Sequence, residues 1–328
     1  MPTSSELKGF DNIGEDTYSD ILRANLISFI DWGLINKGAF FNVTIATSGI
    51  YGGTNKHILK PVKDNNYSEY QVYQAFRGNW VWQSGLQVAT QPIQVSGVYV
   101  NGSFYPLNTS GTYAHHVDYP NGRIVFDNSI SSSDVVTAEY SYKWVQVADD
   151  RDYPFERMIQ YDSLRTDNRD FTLYSSGSYD QIFETRPQLP LITIDISEKS
   201  SYKGYQIGNG SYVYKDVKCC IYSENDRIHT KLADILSFQK EKTILLYDTN
   251  EIARQQRSPL DINGSIASGA LTYPQMVEPS GNGGFLLQHN CTGSVYFKNA
   301  ESFGGESLNQ NLYYSIVKYQ TESILTNI

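Results

Sequence analysis

The sequence predicts a β-rich α+β fold, built as one large or two moderate domains in a chain of 328 residues. Residues 40–147 contain short runs of β-branched and aromatic residues separated by Gly, Asn and Pro, which is typical of an antiparallel meander or small barrel. Residues 189–248 have the pattern strand, turn, strand, helix, strand, which indicates an α+β unit with helices on one sheet face. A single helical segment at residues 17–36 precedes both regions.

That helical segment follows a polar stretch, residues 1–16, which has no periodicity and predicts a mobile N-terminal arm. In "TYSDILRANLISFIDWGLIN" the apolar residues recur at spacings of about three and four, so we expect an amphipathic helix that packs on a sheet. Thr17 or Ser19 is the expected N-cap. The apolar residues are Ile21, Leu22, Leu26, Phe29, Ile30 and Leu34.

The strands expected between residues 40 and 147 are "FFNVTIA", "NWVW", "VYVNGSFYPL", "RIVF" and "VVTAEYSYKWVQV". In the last run a more polar set of residues, which includes Lys143, alternates with a more aromatic set. This alternation predicts one long half-buried strand with the polar set on its wet side. Asn121-Gly122 and Asn101-Gly102 are strong hairpin signals, because a two-residue type I′ turn needs positive φ at both central positions. We expect the Asn121-Gly122 hairpin to protrude and to contact neighbouring subunits.

The charged sequence "ADDRDYPFER" at residues 148–157 is the expected domain boundary, and residues 148–188 are the expected bridging segment. Beyond it, "LPLITIDIS" and Val213–Tyr222 are expected strands. "ENDRIHTKLADILSFQKEK" is an expected amphipathic helix with Asn225 or Asp226 at its N-cap. "TILLYD" is a short apolar strand that we expect to be buried on both faces.

Three further strands are expected in the C-terminal part of the 189–328 domain, at "GFLLQHN", "GSVYFKN" and "NLYYSIVKYQTESIL". The last is long enough to pair within the sheet or with a neighbouring chain. It carries Tyr313, Tyr314 and Tyr319, which together with Asn121 and Gly122 are the candidate subunit-contact residues. The chain has 26 Tyr and 3 Met, and tyrosine favours half-buried sheet faces and subunit contacts.

The formal net charge is −9, with a pI near 5.1, and no segment clusters Lys and Arg. Sequence-specific nucleic-acid binding is therefore not expected, although an acidic surface would let DNA pass without sticking. The N-terminal residues do not have the pattern of a signal peptide, and no apolar run is long enough to span a membrane. With only three Cys, we expect reduced thiols in a cytosolic assembly environment.

No set of residues has the spacing of a catalytic, cofactor or metal site. His115 and His116 are adjacent, as are Cys219 and Cys220, and neighbours on a strand point to opposite faces. "GYQIGNG" fits neither the P-loop nor the dinucleotide fingerprint, and no G-x-S-x-G motif occurs. We therefore expect no catalytic residue, cofactor or metal. A hydrolase built from distant carboxylates is a third option without a supporting motif.

The sequences "RPQLPLITIDIS", "KDVKCCIYSENDRIHTKLADIL" and "TILLYD" resemble tail-terminator and neck proteins of tailed bacteriophages. The preceding "VDYPNGRIVFDNSISSSDVVTAEYSYKWVQV" resembles a turn-and-strand sequence of phage structural proteins, so the resemblance covers residues 90–250. It implies a tail-terminator-like strand-strand-helix-strand unit beside the antiparallel β domain. It also implies a virion protein of the head–tail connector or tail terminator, assembled in the host cytoplasm.

The expected partners are copies of the chain in a ring, with a hexamer as the expected size, and other neck or tail proteins, with DNA passing through. An alternative is a carbohydrate- or receptor-binding module of the tail-fibre or adhesin type. In "NWVWQSG" the indoles of Trp80 and Trp82 would share one face of a strand, where they could stack on sugars. The same arrangement also suits a sheet core.

Overall fold

The computed structural model describes residues 12–45, 56–153, 188–204, 210–288, 292–309 and 312–325. Most of the expected N-terminal arm, most of the bridging segment, the "GYQIGNG" turn and Cys291 lie outside these residues. Strands account for 38% and helices for 17% of the structure, and the sheets are mainly antiparallel, one of them curled into a half-barrel. The β-rich class is therefore confirmed.

The described helices and strands follow one another along the chain in this order. The helices are α1 (Tyr18–Ile35), α2 (Asp226–Ser237), α3 (Thr249–Arg254) and α4 (Tyr273–Met276). The first ten strands are β1 (Phe40–Val43), β2 (Ile58–Val62), β3 (Val72–Gln74), β4 (Gly97–Val100), β5 (Ser103–Pro106), β6 (His115–Asp118), β7 (Arg123–Phe126), β8 (Val136–Thr137), β9 (Tyr140–Lys143) and β10 (Gln146–Asp149). The others are β11 (Leu191–Gly204), β12 (Ser211–Ser223), β13 (Thr243–Leu245), β14 (Ser294–Asn309) and β15 (Leu312–Leu325).

The first half of the chain forms a seven-stranded antiparallel sheet in the order β5-β4-β8-β2-β3-β7-β6, with β1 and β9 paired beside it. Its core is aromatic. The indole of Trp80 stacks on the Tyr140 ring with 4.4 Å between the centroids, and Tyr73 meets Phe126 edge-on at 5.6 Å. These rings are almost fully buried, so the aromatic residues that dominate this part of the sequence form the centre of its core.

The second half forms a six-stranded sheet in the order β10-β11-β12-β15-β14-β13, in which only the β10–β11 pair is parallel. The four central strands are long and the two edge strands are short. Helices α1 and α2 pack on one face and form a single apolar core with it. The period of two in "YVYKDVKCCIY" accounts for this packing, since Val213, Val217 and Cys219 point toward the helices and their neighbours point away.

Helix α1 begins at its expected N-cap. The Asp20 carboxylate accepts hydrogen bonds from the Thr17 hydroxyl at 2.7 Å and from the Thr17 backbone N–H at 3.3 Å. The Asn25 side chain is completely buried and bonds both backbone groups of Tyr247, at 2.7 and 2.9 Å. The helix is therefore fixed to the segment after β13 and contributes to the core of the second sheet.

Helix α2 also begins where the sequence predicts. The Asn225 side chain accepts hydrogen bonds from the backbone N–H groups of Arg227 and Ile228. The spacing of its apolar residues predicts that Ile228, Leu232, Ile235 and Leu236 point inward. Leu232 and Leu236 are buried, whereas Ile228 and Ile235 are only partly buried.

Several expected strands differ in the structure. "NWVW" forms only an isolated bridge between Trp80 and Tyr142. The described part of "GFLLQHN", residues 284–288, forms only one such bridge, between Tyr247 and Leu286. The run expected as one long strand is interrupted twice and becomes β8, β9 and β10, because its parts pair with different strands. β10 thus runs across the expected boundary at residues 147 and 148.

"TILLYD" contributes an edge strand, β13, with only the middle residue of that strand buried. β2 and β3 have no counterpart among the expected strands.

The two Asn-Gly turns also differ from each other. Val100 pairs with Ser103, so Asn101-Gly102 is a two-residue turn, with φ of 51° and 83° as type I′ requires. At the other site Asp118 pairs with Arg123, which leaves a four-residue loop in which Gly122 but not Asn121 has positive φ. The type I′ prediction was wrong there, because residues 119–122 pack against other parts of the protein.

Candidate assembly surface

The β6–β7 loop holds the first two candidate contact residues, and it is docked rather than protruding. Gly122 is buried against the backbone of residues 77–78, while Asn121 is exposed. The Tyr119 backbone N–H donates to the Gly264 carbonyl at 3.1 Å, and the Ser265 hydroxyl donates to the Val117 carbonyl at 2.7 Å. The loop therefore fastens the first sheet to the C-terminal part of the chain and does not form a free prong.

The other three candidates lie on β15. Tyr319 is 2% exposed, stacks on Phe297 at 4.9 Å and donates a hydrogen bond to the Leu236 carbonyl at 2.6 Å. It belongs to the core and has no surface to offer a neighbour. Tyr313 and Tyr314 are half-buried at the start of the strand, where the Tyr314 hydroxyl lies 3.7 Å from the Cys220 sulfur.

The face of the six-stranded sheet turned away from α1 and α2, here called the outer face, is half-exposed and carries ordered charges. Lys218 pairs with Asp195 at 3.0 Å, and Lys318 pairs with Asp216 at 2.9 Å. All four side chains are between 32% and 43% exposed. The two ion pairs lie side by side on adjacent strands, since Lys218 is opposite Lys318 in the β12–β15 register. Such half-solvated pairs contribute little to folding stability.

The long central strands extend beyond the short edge strands on both sides of this sheet. β10 covers β11 only at Leu191–Ile194, and β13 covers β14 only at Ser294–Tyr296. Within the described ranges, no other strand pairs with the outer side of β11 after Ile194 or of β14 after Phe297. We call Ser200–Gly204 the β11 edge and Ala300–Gly304 the β14 edge. Exposed edges of this length are templates for pairing with another chain.

A cavity of about 400 Å³ lies between the two halves of the molecule. Its polar centre is the buried ion pair of Asp31 and Lys143, at 2.7 Å, to which the Gln83 amide N–H donates at 3.1 Å. The Gln83 carbonyl oxygen is buried and has no hydrogen-bond partner among the described residues. The indoles of Trp32 and Trp82 form part of the apolar wall.

The groups with potential chemistry are separated by the fold. Cys219 lies in the core beneath the helices and Cys220 in a small cluster on the outer face, so the adjacent thiols point to opposite faces of β12. Burial raises the pKa of the Cys220 thiol to about 11, which disfavours the reactive thiolate. His115 is buried with its Nδ1 at 2.8 Å from the Tyr113 carbonyl oxygen. No group of three metal-binding side chains occurs within the described ranges.

Sequence reasoning missed two features of this surface. The cavity charges Asp31 and Lys143 are far apart along the chain, and Lys143 falls on the strand face expected to be wet. The open edges depend on which strands pair, which no local pattern determines. The one available signal was the length of the apolar alternation at residues 211–223 and 312–325, which fits strands much longer than the edge strands β10 and β13.

No described helix is both long and apolar enough to cross a lipid bilayer. Comparisons with protein-family models, with curated proteins and with solved structures find no match for the chain.

Proposed function

We propose that the chain is a structural subunit of a tailed-phage neck or tail, and that it assembles with copies of itself into a ring through which DNA passes. The observation that carries the proposal is the pair of open edges on opposite sides of one sheet. A closed ring needs two different, complementary surfaces on each subunit, and the β11 edge and the β14 edge are two such surfaces.

The sequence resemblance to tail-terminator and neck proteins supports the proposal that the chain belongs to the neck or tail of a phage particle. The matching sequences become β11, β12, α2 and β13, which follow one another in the order of the tail-terminator-like unit. Helices α1 and α2 cover one face of the sheet, as the proposed α+β unit requires. The net charge of −9 favours passage of DNA over its capture, because like charges repel the phosphate backbone.

The mass of the purified full-length chain, measured by light scattering and by negative-stain imaging over a concentration series, tests this proposal. We expect one discrete closed oligomer that images as a ring, and a hexamer is the expected size. A chain that stays monomeric up to its solubility limit, or that forms only open-ended filaments, contradicts the ring.

A second candidate function, recognition of a neutral sugar, is favoured by the cavity. Trp80 is buried in the core and cannot stack on a ligand, but Trp82 and Trp32 line the cavity beside the polar groups of Asp31 and Gln83. Binding of soluble oligosaccharides by the wild type and by Trp82→Ala, with Trp144→Phe as control, tests it. Saturable binding that is lost only in Trp82→Ala supports this function, and absence of binding across a glycan array rejects it.

A further inference from the structure

We propose that the β14 edge of one copy pairs with the β11 edge of the next copy as antiparallel strands, with Glu301 opposite Lys203. The inference rests on the proposed ring and specifies how its subunits meet. Four features of the sheet support this pairing. They are the directions of the strands, the residues whose backbone groups point outward, the positions of β10 and β13, and the charges.

The first requirement is direction. Consecutive strands in the order β11, β12, β15, β14 are antiparallel, so β11 and β14 run in opposite directions in one subunit. A second copy placed beside the first in the same orientation therefore brings its β11 antiparallel to β14. No subunit has to be turned over, which is the head-to-tail contact that a ring requires.

The second requirement is that free backbone groups face each other. Both backbone groups of Phe297 bond to residues 241 and 242, so they point away from β15. Along an antiparallel strand the N–H and C=O groups of successive residues point alternately to one side and to the other. The pairing registers therefore show which residues on both edges direct these groups outward. The residues with outward-pointing N–H and C=O are Ser200, Tyr202 and Gly204 on the β11 edge, and Ala300, Ser302 and Gly304 on the β14 edge.

The third requirement is space for β10 and β13. In the sheet Lys203 is opposite Tyr212, which is opposite Ile324 of β15, so Lys203 and Ile324 lie at the same height along the strands. Glu301 lies at the height of Lys318, its partner on β15. Pairing Lys203 with Glu301 thus shifts the second copy by six residues along the strands. At this shift β10 of the second copy lies beyond the end of β14, and β13 of the first copy lies beyond Gly204. A shift of four residues would bring β10 against the last residues of β14.

The same register satisfies the backbone and the side chains. Tyr202 faces Ser302, Ser200 faces Gly304 and Gly204 faces Ala300, and each pair has its backbone groups directed at the other. Lys203 and Glu301 both point to the outer face, since they are level with the outer-face residues Tyr212 and Lys318. Both are exposed, and neither forms an ion pair with another described residue.

The shift also suits a closed assembly. Six residues of strand correspond to about 20 Å, and the four long strands span about 19 Å across the sheet. A stagger of that size per subunit tilts the strands by about 45° from the ring axis, close to the tilt found in closed barrels. The register therefore favours ring closure over a flat, unlimited sheet.

A designed cross-link tests the register. In a Cys291→Ser background, Lys203→Cys with Glu301→Cys places two cysteines at a non-hydrogen-bonded pair, where Cα atoms are about 4.5 Å apart, within disulfide range. We expect mild oxidation of the assembled protein to give a ladder of covalent oligomers on a non-reducing gel. In the control, Tyr202→Cys with Glu301→Cys, the two cysteines point to opposite faces and should not cross-link.

The outcomes separate this inference from the proposed function. Rings without a ladder, or equal ladders from both cysteine pairs, overturn the register but leave the ring. A chain that never oligomerises overturns both. Charge exchange gives an independent check. Lys203→Glu and Glu301→Lys should each assemble poorly alone. An equimolar mixture should recover assembly, because every interface joins unlike charges when the two variants alternate around the ring. Recovery that fails while both variants remain folded contradicts the pairing.

Discussion

The backbone at Gly122 lies so close to a neighbouring segment that a side chain cannot fit. A Cβ atom there would approach the Arg77 carbonyl oxygen to 2.5 Å and the Gly78 Cα to 2.7 Å, and φ is +64°. The glycine is therefore required by a close approach between the β6–β7 loop and the segment after β3. Its role is to fix the first sheet internally, which differs from the subunit contact that the sequence suggested.

We expect Gly122→Ala to lower the free energy of unfolding by about 2–4 kcal/mol, from left-handed backbone strain and steric clash together. The matched control is Gly102→Ala, since φ there is +83° but no atom lies within 4 Å of the added Cβ. That control should lose only about 1 kcal/mol. Urea denaturation of both variants measures the difference, and equal losses would contradict the close approach.

Tyr73 predicts a response to alkaline pH. Burial raises the pKa of its phenol to about 12, with a further contribution from the Asp134 carboxylate. Because the folded state favours the protonated phenol, its stabilising effect is complete below pH 10, the ordinary value, and is lost as the pH rises to about 12. The full loss corresponds to about 2–3 kcal/mol. Tyr73→Phe should therefore lose less stability than wild type between pH 9 and 12 in denaturation experiments, whereas Tyr202→Phe, at an exposed position, should behave as wild type.

Among the elements, helix α1 is attached to the second half of the chain through a fully buried amide side chain. Asn25 satisfies both backbone groups of Tyr247 and also donates to the Ile21 carbonyl at 2.8 Å, with no exposure to solvent. Burial of the apolar face of α1 stabilises the helix. The hydrogen bonds of Asn25 to Tyr247 fix where along the second half of the chain the helix lies. A buried amide in an otherwise apolar face thus determines which segment the helix packs against.

Asn25→Ala should destabilise the protein by about 2–4 kcal/mol, because two buried backbone groups lose their partner. The control is Asn36→Ala at the end of α1, where the side chain accepts one exposed hydrogen bond from the Gln87 backbone N–H. Its loss should be about 0.5–1.5 kcal/mol. Thermal and chemical denaturation should rank the two variants in this order; a reversed ranking would contradict the role of Asn25 in positioning α1.

At the scale of the whole molecule, the two sheets are joined through a buried arginine. Arg77 is 3% exposed and donates to the Leu189 carbonyl at 3.1 Å and to the Trp144 carbonyl at 3.4 Å. Burial lowers the pKa of the guanidinium to about 10, so it remains charged at neutral pH. One side chain from the segment after β3 thus bonds the residues just before β10 and just before β11, the parallel pair of the second sheet.

We expect Arg77→Met to weaken the coupling between the two halves, since hydrogen bonds from a charged donor contribute about 1.5–3 kcal/mol each. Calorimetry should then resolve two unfolding transitions where the wild type shows one. Arg227→Met, at an exposed position on α2, serves as the control and should unfold like the wild type. A single, unshifted transition in Arg77→Met would contradict the coupling.

Sequence patterns were enough to predict the β-rich class, helix α1 with its Thr17 cap, helix α2 with its Asn225 cap, and the Asn101-Gly102 turn. These features depend on periodicity and capping within a few residues, which a local pattern contains. The burial of Gly122 and Tyr319, the ion pair of Lys143 with Asp31 and the edges of β11 and β14 that no described strand covers are visible only in the folded molecule. Those outcomes depend on which distant strands pair and in what register, and the free energy of such pairing comes from contacts between residues far apart along the chain.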